Sequence, residues 1–454
     1  MPVFQLILPC IFALAACGAV DSELPVTAAE TIVSSLDKAM PYTVVSEETF
    51  ARQGWDLPDG GMTAKALADA AAGGAFDPRA LAKSDPAALG YTATWHEVRF
   101  AYYGLEWDIT ALKLTPNNPE PDVPTVAILN GGAANWYEFF IGPRNGPGLG
   151  QYLAQKVPVV LLTIPGNYKH GGWTESDFGS RKPAYLVDQE LSAEETSVRN
   201  ASFTFSLVAK GVEAALAETV SGPLLLAGHS TGGELQFMLK DALAEQFNGR
   251  LLGWGTGGPA ALDVMRQFRG QRKINDYPHV SALRARTPDQ YSAGYLGPLN
   301  PYWDSGRSRL DMAEAWMGAE SRRRPQFKQP LQDFEHTSTN YLVDDIAAQI
   351  RETLKDSPVD AEAVIDDLFA TMDVDITGYQ RMVWVTAAGD TGHWDKELER
   401  ARELRVANAF RAANPDAEIR VLLLDLPMTH YGHIERPREL AGSLFAAVRW
   451  LSAD

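Results

Sequence analysis

The stretch GPLLLAGHSTGGELQFMLKDAL, residues 222–243, decides how the rest of the chain is read. Leu224 to Ala227 form an unbroken apolar run, as a strand buried on both faces requires. From Gly233 the spacing becomes that of an amphipathic helix, predicted to run to Phe247. Between the two, Gly228 and Gly232 bracket Ser230 in the pattern G-x-S-x-G, which occurs nowhere else in the chain. A serine on a sharp strand-to-helix turn is forced into strained backbone geometry that only small neighbours tolerate. Its hydroxyl is then exposed at the sheet edge, facing the helix N-terminal amides, where developing negative charge is stabilised. A Gly-rich turn with an inert serine would read the same way, so the surrounding sequence has to choose.

That surrounding sequence repeats one alternation. TVAILNGG (125–132), VPVVLLTIPG (157–166), LLGWGTGG (251–258), RMVWVTAAGD (381–390) and IRVLLLDLP (419–427) are continuous apolar runs ending in turn residues, with helical spans between most of them. Strands alternating with helices predict a doubly wound α/β fold with a mostly parallel sheet. WHEVRFAYYGLEWDITALKLTP (95–116) alternates instead and is rich in aromatic and β-branched residues, predicting an antiparallel hairpin that turns near Gly104. The core is therefore expected over residues 91–257 and 378–454. Between them, residues 258–377 show helical patterns such as DMAEAWMG and VDDIAAQIRETL, and are expected to form a largely helical lid insertion. Residues 21–90, rich in Ala, Asp and Pro with weak periodicity, read as a tether followed by a small helical extension.

Composition removes several functions. The chain has 454 residues, 45% hydrophobic and 22% charged, an ordinary globular balance. Its formal net charge of −18 disfavours nucleic acid as a partner, because a polyanion would be repelled over most of the surface. The short run Arg322-Arg323-Arg324 does not reverse this and reads as a solvated helix end. No H-E-x-x-H, G-x-G-x-x-G opening a βαβ unit, or phosphate-loop pattern occurs, and DVDITG lacks the length of a calcium loop, so neither cofactor nor metal is expected. The sequon Asn200-Ala201-Ser202 falls in a predicted helix and reads as coincidence.

Both cysteines, Cys10 and Cys17, lie at the N-terminus. Val3 to Ala16 is apolar and short for a bilayer span, so residues 1–20 read as an export signal. Leu14-Ala15-Ala16-Cys17-Gly18 resembles the lipobox of bacterial lipoproteins, which implies lipidation of Cys17 and membrane anchoring at the cell envelope. No Lys or Arg precedes the apolar run, a departure from that pattern. The alternative is cleavage near Ala19 and a periplasmic or secreted protein. In either case the mature chain holds at most one cysteine and no internal disulfide.

With its strand and helix context, the serine turn resembles that of the α/β-hydrolase family, and the resemblance runs from about Trp95 to Leu451. That family orders its residues as serine nucleophile, acid, histidine. The serine needs an imidazole to take its proton, and the imidazole needs a carboxylate to fix its tautomer. The resemblance implies Asp390, just after the RMVWV strand, as the acid, with Asp395 as a weaker alternative. His393, His430 and His433 are the histidines that follow. The family commonly has its catalytic histidine five residues before a Glu-x-Pro-like element; His430 stands five before Glu435 of Glu435-Arg436-Pro437, and His433 is the alternative. Thr429 departs from the small residue usual before that histidine. The resemblance also implies oxyanion donors at the amides of Thr231 and of Gly132, with Gly131 or Ala133 open, while Asn130 stands where the family frequently has histidine. Trp136, Tyr137, Phe139 and Phe140, with Trp303 and Trp316 in the expected lid, either fill the core, as aromatic residues usually do, or line an apolar substrate pocket, with Trp136 and Tyr137 the pocket candidates. The implied activity is hydrolysis of a small ester-like substrate through an acyl-enzyme. An amidase, peptidase or lactonase would use the same parts, and a catalytically silent binding scaffold is an alternative of another class.

Overall fold

A computed structural model describes residues 42–46, 85–129, 139–140, 147–162, 191–202, 205–229, 231–243, 246, 249–255, 273–275, 340–372, 375–387, 410–425 and 432–453. Its centre is one nine-stranded sheet. In chain order the strands are β1 (Tyr42–Ser46), β2 (Tyr91–Tyr102), β3 (Leu105–Pro116), β4 (Thr125–Leu129), β5 (Val159–Leu162), β6 (Leu224–His229), β7 (Arg250–Trp254), β10 (Arg381–Ala387) and β11 (Glu418–Asp425). A separate two-stranded ribbon pairs β8 (Lys273–Asn275) with β9 (Asn340–Leu342). The order across the large sheet is β1-β11-β10-β7-β6-β4-β5-β3-β2. Every neighbouring pair is parallel except those made by β3, which runs against both β5 and β2.

The hairpin turns where the sequence placed it. Tyr102 pairs with Leu105, leaving Tyr103 and Gly104 as a two-residue loop with φ of 47° and 77°. Two successive positive φ values are the requirement of the tight hairpin turn whose twist matches the strands. Tyr103 bears the strain of the first position, and its hydroxyl donates to Asp367 at 2.8 Å, as does Tyr102 at 3.2 Å.

Both sheet faces are covered, so the central strands are apolar at successive positions. On β6, Leu224 and Leu226 face one core and Leu225 and Ala227 the other. The first core is closed by helices α3 (Ala193–Ser202), α4 (Phe205–Thr219), α5 (Thr231–Leu239), α6 (Val343–Leu354) and α7 (Ala361–Met372). The second is closed by α1 (Pro86–Leu89), α2 (Leu149–Leu153) and α9 (Pro437–Ser452), with a short α8 (Gly432–Glu435) leading into α9. Ser192 and Glu195 cap α3 reciprocally, the Ser192 hydroxyl accepting from Glu195 N–H at 3.1 Å and the Glu195 carboxylate from Ser192 N–H at 2.7 Å. That backbone donation also holds the Glu195 carboxyl below its ordinary range.

Three elements differ from the sequence reading. Within 21–90, Tyr42–Ser46 forms an edge strand paired in parallel with β11. The final part of 258–377 forms α6 and α7, whose Ala347, Ile350, Leu354, Val364, Ile365 and Leu368 are buried in the first core against α3 and α4. Helix α5 starts at Thr231 and ends at Leu239, two residues earlier and eight residues earlier than the span predicted, Gly233 to Phe247. No helix of the described residues is long and apolar enough to cross a membrane.

Candidate functional site

Strands β4, β6, β7, β10 and β11 all run the same way, so their C-terminal ends lie along one rim of the sheet. In doubly wound sheets that rim is where ligands bind. Each candidate group follows one of these ends in the chain. Gly132 comes three residues after Leu129 of β4, Ser230 immediately after His229 of β6, Asp390 three after Ala387 of β10, and His430 five after Asp425 of β11. Thr231 is the first residue of α5. Ser230, Asp390, His430, Gly132, Trp136, Tyr137 and Cys17 lie outside the described residues, as do Gly131, Ala133, His393, Asp395, Trp303, Trp316 and the Arg322 to Arg324 run.

Gly228, two residues before Ser230, has a steric cause. A Cβ built on Gly228 would stand 2.6 Å from Gly233 Cα, 2.7 Å from Gly233 N and 2.8 Å from Gln236 Nε2. The end of β6 and the first turn of α5 thus touch backbone to backbone, which fixes where the strand stops and the helix begins. Gln236 is buried beneath this contact, and neither end of its amide has a hydrogen-bond partner among the described residues.

Four buried rings meet below the turn. His229 is 1% exposed and stacks on Trp254 at the end of β7, with centroids 5.5 Å apart and planes at 29°. His433, in α8, is 0% exposed and meets His229 edge-on at 4.4 Å. His433 also stacks on Phe139, at 4.6 Å and 22°. Phe139 in turn meets Trp254 edge-on at 6.1 Å and His229 at 6.0 Å. The cluster joins residues from four distant segments: the chain beyond the Gly131-Gly132 turn, the serine strand, the next strand, and the segment beyond His430.

A second buried arrangement holds Phe139 in place. The Tyr91 hydroxyl donates to Gln151 Oε1 at 2.9 Å, Gln151 Nε2 donates to the Phe140 carbonyl at 2.8 Å, and Gly148 N–H donates to the same carbonyl at 2.9 Å. Burial pushes the Tyr91 hydroxyl well above its ordinary pKa, so it remains a neutral donor. Phe139 and Phe140 are both 0% exposed and belong to the second core, the usual place of aromatic residues, rather than to a pocket. At the opposite edge of the sheet, where β10 and β11 begin, Asn414 accepts from Tyr379 N–H at 2.9 Å and donates to the carbonyls of Ile376 and Phe410 at 2.7 and 2.9 Å. Those bonds fix the chain that enters β10. The Trp384 indole of β10 donates to the Gly255 carbonyl at 3.1 Å, tying β10 to the turn after β7.

Of the sequence-predicted candidates, the structure describes His433, the helix position of Thr231, and Phe139 and Phe140. The ring cluster itself escaped the sequence reading. Its one local signal was His229 inside the motif; the contacts with Phe139, Trp254 and His433 span up to 294 positions, from 139 to 433, and carry no periodicity. Among the described residues no group of three or more His, Cys, Asp or Glu could hold a metal ion.

No protein-family model matches the chain. No curated protein matches it. Solved structures similar to it include a bacterial membrane phospholipase A described as a virulence factor, at 15% identity, covering 86% of this chain and 93% of that one with a TM-score of 0.40. A probable hydrolytic enzyme from Pseudomonas aeruginosa is 13% identical over 78% of this chain and 94% of its own, with a TM-score of 0.41. A mutant N-acyl homoserine lactonase is 14% identical over 79% and 97%, with a TM-score of 0.37. The fold assignment rests on strand order, strand direction and the strand-to-helix turn rather than on these distant likenesses.

Proposed function

We propose that this chain, which has the α/β-hydrolase fold, is a serine hydrolase that cleaves a carboxylic ester through an acyl-enzyme. The observation that carries the reading is the 4.4 Å contact between the rings of His229 and His433. His229 is the neighbour of Ser230, and His430 lies three residues before His433. Three residues of chain reach at most about 11 Å. Two segments two hundred positions apart are thus held together on the rim where the nucleophile and its base would have to meet.

In this reading Ser230 Oγ attacks the ester carbonyl carbon while His430 takes its proton. The carbonyl oxygen becomes an oxyanion, held by the amides of Gly132 and Thr231 at the N-terminus of α5. Collapse of the tetrahedral intermediate breaks the bond to the alcohol oxygen, which leaves with the proton from His430. Water, deprotonated by the same imidazole, then attacks the acyl-enzyme and releases the acid. Asp390 fixes the imidazole tautomer and stabilises its cation, and Trp136 and Tyr137 line the apolar part of the pocket. The enclosure of His433, at 0% exposure, supports His430 as the base, since a base must reach both the serine and the leaving group.

Ester hydrolysis is preferred to amide hydrolysis because an alcohol leaves more readily than an amine and asks less of the acid step; a lactone, being a cyclic ester, would open by the same step. Export with lipidation at Cys17 completes the proposal, and mass spectrometry of the mature N-terminus tests that part. A fluorophosphonate probe tests the chemistry: the wild-type chain is expected to be labelled and Ser230→Ala to stay unlabelled. Equal labelling of both would remove Ser230 from the mechanism.

A further inference from the structure

The segments joined by the four-ring cluster are the ones that an acyl-transfer site must hold in register. Phe139 belongs to the chain following the oxyanion turn, His229 precedes the nucleophile, Trp254 ends the strand beside it, and His433 follows the base. Ring pairs of this kind have narrow preferred geometries, and a buried core transmits displacement rather than absorbing it. His433 is held by the cluster on two sides. It lies in a four-residue helix, Gly432–Glu435, too short to hold itself in place, and its ring is clamped between the face of Phe139 and the ring of His229.

We propose that His433 is a positioning residue: its enclosed ring sets the register of the His430 segment against the serine turn and the oxyanion loop, without itself exchanging a proton with substrate. This rests on the reading of Ser230 as nucleophile and His430 as base. Enclosure argues against a chemical role, because a general base must reach both the serine hydroxyl and the leaving group, and the His433 ring is 0% exposed. Its leverage comes from proximity. Three residues separate it from His430, and a misplacement of about 1 Å at a catalytic group costs roughly a hundredfold in rate.

The test uses the full chain with His433→Ala, His433→Phe, His433→Leu and His430→Ala. Each is followed by p-nitrophenyl butyrate turnover, by the rate of fluorophosphonate labelling, and by thermal unfolding. His433→Ala is expected to lower kcat and the labelling rate together by about ten- to a hundredfold, with KM within about threefold. His433→Phe, which keeps a flat ring against Phe139, recovers kcat to within about threefold of wild type, whereas His430→Ala loses at least about a thousandfold. Should His433→Ala fail to fold, the comparison of Leu with Phe carries the test, since Leu fills the space without a stacking face and should be at least about fivefold slower than Phe. An unchanged kcat in folded His433→Ala, equal rates for Leu and Phe, or a rise confined to KM would overturn the proposal. His433→Phe as inactive as His430→Ala would also overturn it, by making His433 a chemical base. A wild-type chain that neither labels nor turns over would overturn the serine mechanism and the positioning role together; labelled wild type with any of the contrary His433 results overturns the positioning role alone.

Discussion

Gly228→Ala puts the strand-to-helix contact beneath Ser230 under direct load. The new methyl carbon would lie 2.6 Å from Gly233 Cα and 2.7 Å from Gly233 N, both backbone atoms that no rotamer change can move aside. Relaxing the first contact to an ordinary separation of about 3.4 Å requires the start of α5 to shift from the end of β6 by at least about 0.8 Å. Overpacking of this kind costs about 1–3 kcal/mol of stability. A displacement near 1 Å at the proposed nucleophile, Ser230, costs about a hundredfold in rate. Gly104→Ala is the matched control. Gly104 has a φ of 77° with nothing within 4 Å of an added Cβ, so the substitution strains the backbone by about 1–2 kcal/mol at the far end of the hairpin β2–β3. Urea denaturation and p-nitrophenyl ester kinetics on both variants separate the two effects. Both should lose similar stability, and Gly228→Ala alone should lose kcat. If Gly228→Ala keeps wild-type kcat, or if Gly104→Ala loses as much, the link between this contact and catalysis fails.

Other expectations concern buried and paired groups in the core and at the opposite edge of the sheet. Gln236→Met removes an amide buried without partners among the described residues, so it should raise stability by about 1–3 kcal/mol in denaturant titration; a loss would mean that the amide is satisfied. Tyr91→Phe leaves Gln151 Oε1 without its buried donor and should cost about 1–3 kcal/mol, measured the same way; a change within 0.3 kcal/mol, roughly experimental error, would show the relay to be dispensable. Asp375 accepts from Lys240 at 2.7 Å and from Thr377 N–H at 2.8 Å, and these donors hold its carboxyl at about 2, below the ordinary 3.8. A depressed carboxyl stabilises the folded state above its unfolded pKa and loses that contribution as pH falls through the folded value. Asp375→Asn should therefore be less stable than wild type at pH 5 to 7, by less than about 1 kcal/mol for so exposed a pair, with the gap closing between about pH 4 and pH 2. A gap independent of pH would assign the difference to something other than charge.

Where the determinants were local, the sequence announced the structure. The hairpin turn was legible because only a glycine such as Gly104 tolerates the second positive φ, and the central strands because burial on both faces leaves no polar position in runs such as Leu224 to Ala227. The serine turn was legible in part because its close backbone contact leaves no room for a side chain at Gly228. The edge strand β1 was not, although Tyr42-Thr43-Val44-Val45-Ser46 is rich in β-branched residues, because five residues in a stretch of weak periodicity give no pattern to extend. Helices α6 and α7 read correctly as helices, yet their docking against α3 and α4 depends on partners more than a hundred residues away. Phe139 could equally have lined a pocket or filled a core, and its neighbours His229, Trp254 and His433 decide for the core. Contact between chain-distant aromatic residues leaves no trace in local spacing, which is why the supporting cluster appeared only in the fold while the groups it supports appeared in the motif.

The most direct test of the central claim is to trap the acyl-enzyme. Brief incubation with a slowly deacylating p-nitrophenyl ester, acid quench and peptide mass mapping should find one acyl group, carried on the peptide spanning Ser230, and none in Ser230→Ala. An acyl group on any other residue, or ester turnover with no covalent species and full activity in Ser230→Ala, would contradict the account.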